Sequence, residues 1–297
     1  MMKPKVKRNT LLAYGLLLPA FAVCTVFIAY PVLATLINSL KPGATMNLNS
    51  NKDIKLSLSV YKDVLTDPST WKTLGRSFVY LFGSLIPSYL LGLATALLLN
   101  KSFAGRRAFR TLMILPWAIP GVVASIIFVW MGDSSYGVIN YMLKSLGLID
   151  EYRAWFFEED LVMFSVILPT IWKGYPFFTV TLLAALQSIP VELYEAAEVD
   201  GCKSIKKFRY ITMPEIQEAS VLALILNGLW SFKVFDIIYS TTKGGPGVAT
   251  TTIAIEIYNQ AFQYFDICRA SVEGILALAI CAIVVKLLYP YMNKETK

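Results

Sequence analysis

Histidine is absent from this chain of 297 residues. Without an imidazole, its own side chains cannot assemble a Ser-His-Asp or Cys-His nucleophile system, nor a histidine-ligated metal site. Cysteine is scarce. Cys24, Cys202, Cys268 and Cys281 are widely spaced with no C-x-x-C pair, so neither zinc nor a disulfide is expected. Cys24 and Cys281 fall inside apolar runs and are expected to be plain packing residues. No G-x-x-x-x-G-K-[ST] run occurs, so no loop is built to cradle a nucleotide's phosphates.

Charge is also in short supply, at 16% of residues, against about 25% in soluble domains. The deficit is concentrated. Residues 9–40, 77–100 and 111–132 contain no Asp, Glu, Lys or Arg. A bilayer-spanning helix needs roughly 20 apolar residues, and three such runs cannot all be buried in a small soluble domain. What charge there is sums to +7. The basic residues lie between apolar runs rather than along one face, which fits the positive-inside rule better than nucleic-acid binding.

Six spans can be drawn, at roughly 11–37, 77–99, 110–131, 161–187, 217–239 and 270–291. Pro19 and Pro31 are expected to bend or offset the first. That run is about twice the length of a signal-peptide core, which reads as a retained span. Only helices or closed barrels satisfy the backbone in lipid, and no ten-residue alternation points to a barrel.

Three basic clusters, Lys3–Lys5–Lys7–Arg8, Lys101–Arg106–Arg107–Arg110 and Lys203–Lys206–Lys207–Arg209, are expected on the cytoplasmic side. Segment 133–160 is acidic and is expected outside. Segment 41–76 also falls outside, although it carries several lysines. Neither is long enough for a core of its own, so residues 1–297 read as one membrane domain with both termini cytoplasmic.

Segment 190–214, PVELYEAAEVDGCKSIKKFRYITMP, is the polar stretch between two spans. Pro190 followed by Glu192 and Glu195 suits a helix start. Asp200-Gly201 signals a turn, a short helix follows, and Pro214 is expected to break it. By residue chemistry alone, this is either a partner surface or a basic amphipathic segment resting on anionic lipid.

The spacing of Glu195, Ala196, Ala197, Gly201, Ile211 and Pro214 resembles the EAA motif of binding-protein-dependent ABC importer permeases, with Met213 in place of the usual Leu. A second stretch, from Phe235-Asp236 through Thr242-Lys243-Gly244-Gly245-Pro246 to Thr250-Thr251-Thr252, resembles the T-x-G-G-P subunit of maltose, glycerol-phosphate and multiple-sugar systems. The large external insert of the maltose subunit is missing. The resemblance implies an all-α integral membrane protein of the type I ABC importer permease fold, with six transmembrane helices: a core of helices two to six plus an added first helix. It implies a passive subunit for sugar import in the bacterial cytoplasmic (inner) membrane. Its partners would be a second homologous permease, two copies of an ATPase carrying the ATP and Mg, and an extracytoplasmic solute-binding protein. Glu195, Ala196, Ala197, Asp200, Gly201, Ile211 and Pro214 would then form the ATPase-coupling helix and its turn.

Asn227, Trp230, Ser231 and Lys233 fall within two turns of the fifth span and are the candidate substrate-path residues. A charge at the bilayer centre costs about 3 kcal/mol, so it should face a cavity or a partner. Trp and an amide suit a sugar, which offers an apolar ring face and hydroxyls. Alternatively Lys233 pairs with Asp236 at helical spacing, and Asn227 is interhelical glue. Trp172, Lys173 and Tyr175 pose the same question in the fourth span. A sugar phosphate is an alternative cargo. An ion-coupled transporter is a competing class, but carboxylates deep in the spans are scarce.

Overall fold

The computed structural model describes residues 4–45 and 55–291, with side chains from Ala13 onward. Lys3 and the side chains of Lys5, Lys7 and Arg8 lie outside the described residues, as does much of the loop after the first span. Among the described residues all regular structure is helical. The chain divides into two compact units, one of residues 1–67 and 257–278, the other of residues 68–256 and 279–297.

The first unit opens with α1 (Pro4–Cys24) and α2 (Tyr30–Asn38), joined by a π turn over Thr25–Ala29. Pro31 explains the wide turn. It has no N–H to offer the Phe27 carbonyl, and its ring would crowd that oxygen in an α-helix. The π turn, closed by the Tyr30 N–H on the Thr25 carbonyl, relieves the clash. Tyr14, Phe21 and Phe27 all stand exposed along this apolar span. After α3 (Ser59–Thr66), Arg269 in α15 (Ile267–Leu288) donates to Asp67 at 2.7 Å and to buried Glu273 at 3.2 Å.

The second unit is built on α4 (Pro68–Asn100) packed along α8 (Glu159–Ser188). Ser84, Ser88, Gly92 and Ala96 recur every fourth residue of α4 and are all buried. Such a stripe of small residues lets two backbones approach closely where no water drives helices together. Thr95 and Thr179 hydroxyls share a hydrogen bond across the pair at 2.5 Å, and Tyr80 bonds Thr170. α4 begins nine residues before its expected start, because Pro68 opens a helix well and Thr70 and Thr73 pack as buried turns ahead of the apolar run.

Two expected spans need correction. Residues 110–131 are not one rod but α5 (Arg106–Ala118) and α6 (Gly121–Met131), bent by 97°. Ile119 precedes Pro120 and is extended, with ψ 132°, as the proline ring demands. The span expected at 217–239 ends early. α12 (Gln217–Phe232) stops before Lys233, and α13 (Asp236–Thr241) starts afresh. Four helices are long and apolar enough to cross a membrane, Ala13–Asn38, Pro68–Asn100, Glu159–Ser188 and Ile267–Tyr291; counting the bent pair as one makes five among the described residues.

Candidate functional site

α5, α8, α12 and α13 wall a cleft of about 160 Å³ in the second unit. From α8 come Thr170, Lys173, Gly174 and Phe177, which helical spacing puts on one face. From α12 come Asn227, Trp230 and Ser231, and from α5 comes Trp117. The Phe177 ring lies edge-on to Trp230 at 5.1 Å and tilted to Trp117 at 6.3 Å. Trp117 and Trp230 remain about half exposed, whereas Asn227 and Ser231 are buried, the Ser231 hydroxyl donating to Asn227 Oδ1 at 3.4 Å. Three aromatic faces beside an amide and a hydroxyl suit a ligand with both apolar and hydroxylated surfaces.

Of the four residues expected to share the path, three are brought together and Lys233 is not. Lys233 follows the last turn of α12 and stands exposed outside the lining. The chain breaks between Lys233 and Asp236, so the helical spacing that would pair them does not exist. Lys173 and Asp236 line the cleft instead. Trp172 packs against Phe128, ring centroids 5.8 Å apart, and the Tyr175 hydroxyl donates to Met113 Sδ. These two are packing residues. Trp117 and Phe177 had no signal beyond the 170–173–174–177 repeat, because the cleft gathers residues from non-consecutive helices.

Segment 190–214 folds as a helical hairpin. Pro190 caps α9 (Val191–Val199), which ends at Asp200. The Cys202 N–H returns to the Ala197 carbonyl at 2.8 Å and the Gly201 N–H to Glu198 at 3.0 Å. This bond pair is the Schellman closure, and it requires the left-handed backbone that Gly201 supplies at φ +71°. α10 (Ser204–Lys207) then runs through a π turn at Phe208–Thr212 into α11 (Met213–Glu215) and α12. The break expected at Pro214 falls two residues later, at Ile216 between α11 and α12; at Pro214 itself the π turn, closed by Met213 on the Phe208 carbonyl, accommodates the ring. Tyr194 and Thr212 hydroxyls tie the two arms at 2.9 Å. Lys207 donates to Glu198, and that bond holds the Glu198 carboxyl below its ordinary range. Glu195 and Ala196 face out and Ala197 is buried; Ile211 is half-buried and Pro214 exposed. Val199 and Ile205 stand almost fully exposed either side of the turn.

The Gly-Gly-Pro loop is stitched by its own threonines. Thr250 bonds Thr242 at 2.7 Å and donates to the Gly245 carbonyl; Thr251 donates to Gly244 at 3.0 Å. Arg76 of α4 donates to the Thr251 carbonyl at 2.9 Å, anchoring the loop. Exposed Lys243 sits at its tip with φ +54°.

Residues 88–297 match the family described as "Binding-protein-dependent transport system inner membrane component". The chain belongs to this family. It is therefore a multi-pass membrane permease with a transport role. It is 33% identical over 286 residues to the trehalose/maltose transport system permease protein MalF of Thermococcus litoralis, covering 96% of this chain and 94% of that one. It is 34% identical over 282 residues to the sulfoquinovosyl glycerol transport system permease protein SmoG of Agrobacterium fabrum, covering 94% and 90%. Its fold is that of a chain in a bacterial ABC transporter involved in the import of the acidic polysaccharide alginate, with TM-score 0.81 at 24% identity, covering 98% of each.

Proposed function

We propose that this permease forms, with a second homologous permease, the path by which a sugar or oligosaccharide crosses the cytoplasmic membrane. A solute-binding protein delivers the sugar outside. Two ATPase copies, holding ATP and Mg, drive the cycle by gripping the 190–214 hairpin. The relatives' names, which speak of trehalose, maltose and sulfoquinovosyl glycerol, support a sugar cargo. The related alginate transporter is described in complex with a pentasaccharide-bound periplasmic protein, which supports delivery by such a partner.

Residues 1–297 act as one permease domain, and the family match running through both compact units supports this. The chain crosses the bilayer six times, with the α5–α6 pair as one crossing and α12–α13 as another. Both termini and the hairpin then lie in the cytoplasm, where the basic clusters favour them.

The observation that carries the reading is the cleft, where Trp230, Phe177 and Trp117 meet Asn227 and Ser231. The test is uptake by the complete complex in vesicles, supplied with its binding protein and a panel of neutral di- and oligosaccharides. At least one should be accumulated in an ATP-dependent manner, and Trp230→Ala should lower that uptake about tenfold while the complex still assembles. If Trp230→Ala left uptake unchanged, or simply prevented assembly, Trp230 would be a packing residue.

A further inference from the structure

Lys173 and Asp236 are the two charged groups on the cleft wall, and each sits at a helix end of complementary sign. The Lys173 ammonium donates to the carbonyl of Ile119, the residue that caps the C-terminus of α5. A helix C-terminus presents unsatisfied carbonyls and partial negative charge, which favours a cation. Asp236 lies against the first residue of α6. A Cβ added to Gly121 would fall 1.8 Å from Asp236 Oδ2, so only glycine admits the carboxylate there. A helix N-terminus presents unsatisfied N–H groups and partial positive charge, which favours an anion. Between the two ends lies the 97° bend at Ile119–Pro120.

A break in a helix exposes backbone groups that lipid cannot satisfy. Here the second unit supplies one cation and one anion, from α8 and α13, to the two faces of the break. We propose that Lys173 and Asp236 are positioning residues that clamp the α5–α6 elbow and so hold Trp117 against the cleft, rather than ligands of the cargo. The inference rests on the cleft reading only for its consequence at Trp117. The clamp itself concerns the elbow.

The experiment measures the elbow directly. Spin labels at Leu112 and Ile126, exposed positions on the two arms, are introduced in a cysteine-free background of the assembled complex in lipid. Their distance distribution is recorded by double electron–electron resonance. Lys173→Met should raise the population outside the starting distribution about tenfold, the effect of a partly buried helix-end charge, and Asp236→Asn about threefold, since that carboxylate is exposed. Lys173→Arg should preserve the distribution. Gly121→Ala should reproduce Asp236→Asn, because the added methyl displaces the carboxylate, and it keeps the test available if a charge variant fails to assemble.

The charge swap Lys173→Asp with Asp236→Lys discriminates further. Helix-end clamping makes the swap the worst variant, since each charge then faces an end of its own sign. Recovery by the swap would mean a plain ion pair, and unchanged distances in both single variants would mean no clamp; either overturns the proposal. Trp230→Ala is the parallel control. It should lower uptake and leave the distance alone, so a failure of the cleft reading and a failure of the clamp are told apart.

Discussion

The Lys207 ammonium bonds the Glu198 carboxylate across the turn that Gly201 makes between α9 and α10. Lys207 is mostly buried there and Glu198 is largely exposed. The pair therefore sets the hairpin's angle at an edge open to solvent, where the Coulomb gain is small and salt-screened.

The Glu198 pKa is lowered by its hydrogen bond to Lys207 and by that residue's charge. A depressed carboxylate contributes stability above its unfolded pKa and loses it as pH falls through the lower, folded value. The contact should thus persist at neutral pH and weaken only below the ordinary carboxylate range. Carbon-13 NMR titration of Glu198 should place its midpoint below the ordinary carboxylate range. Glu198→Gln should move the thermal midpoint of the complex by less than about 3 °C. A midpoint within or above that range would contradict the geometry.

Gly201 separates two reasons for a glycine. Nothing lies within 4 Å of a Cβ added there, so within this chain only the left-handed backbone excludes a side chain. Asn adopts that conformation readily, and a β-branched residue does not. Gly201→Val should abolish most sugar-stimulated ATP hydrolysis in reconstituted vesicles while the spans still insert. Gly201→Asn should retain most of it. If Asn fails as badly as Val, the ATPase surface approaches too closely for any side chain. If both behave as wild type, the hairpin is a lipid contact only. Glu195→Lys, a reversal at the same exposed face, should lower stimulated hydrolysis as Val does.

The α4–α8 seam should be intolerant of added volume. A Cβ at Gly92 would meet Phe178 Cβ at 2.3 Å and the Tyr175 carbonyl at 3.0 Å. Gly92→Ala should cost about 1–3 kcal/mol, read as a lower thermal midpoint in detergent. An unchanged midpoint would mean the helices lie further apart than described.

Topology is checked by cysteine accessibility after replacing Cys24, Cys202, Cys268 and Cys281. Cysteines at 206 and 107 should label only from the inside, and those at 151 and 243 only from the outside. External labelling at 206 would invert the model.

Much of this was legible in the sequence. The uncharged runs marked α1–α2 and α4 apart from the polar start of each, the apolar stretch around Lys173 marked α8 to within two residues, and Asp200-Gly201 marked the hairpin turn. The elbow was not legible, because hydropathy is blind to direction: 111–132 stays uncharged through Pro116 and Pro120 although the backbone turns nearly square. The end of α12 was hidden for a related reason. Lys233 and Asp236 read as two charges at helical spacing within one span, whereas the helix stops before Lys233 and a new one starts at Asp236. Asn227, Trp230 and Ser231 could be chosen because they share one helix. Their neighbours Trp117 and Phe177 come from elsewhere in the chain, and no spacing rule links them.

From Ser204 to Phe232 the chain runs as an almost unbroken helical path, through the π turn at Phe208–Thr212, with Ile216 as the one residue between helices α11 and α12. Ile216 is wholly buried, so that knuckle is gripped by its surroundings rather than free to flex. The hairpin tip and the cleft face at Asn227–Trp230 are therefore joined by one short, nearly continuous run of helix. If an ATPase does grip the hairpin, the chain between Ser204 and the residues proposed to touch the cargo is no more than some twenty-five residues long, with a single non-helical residue on the way.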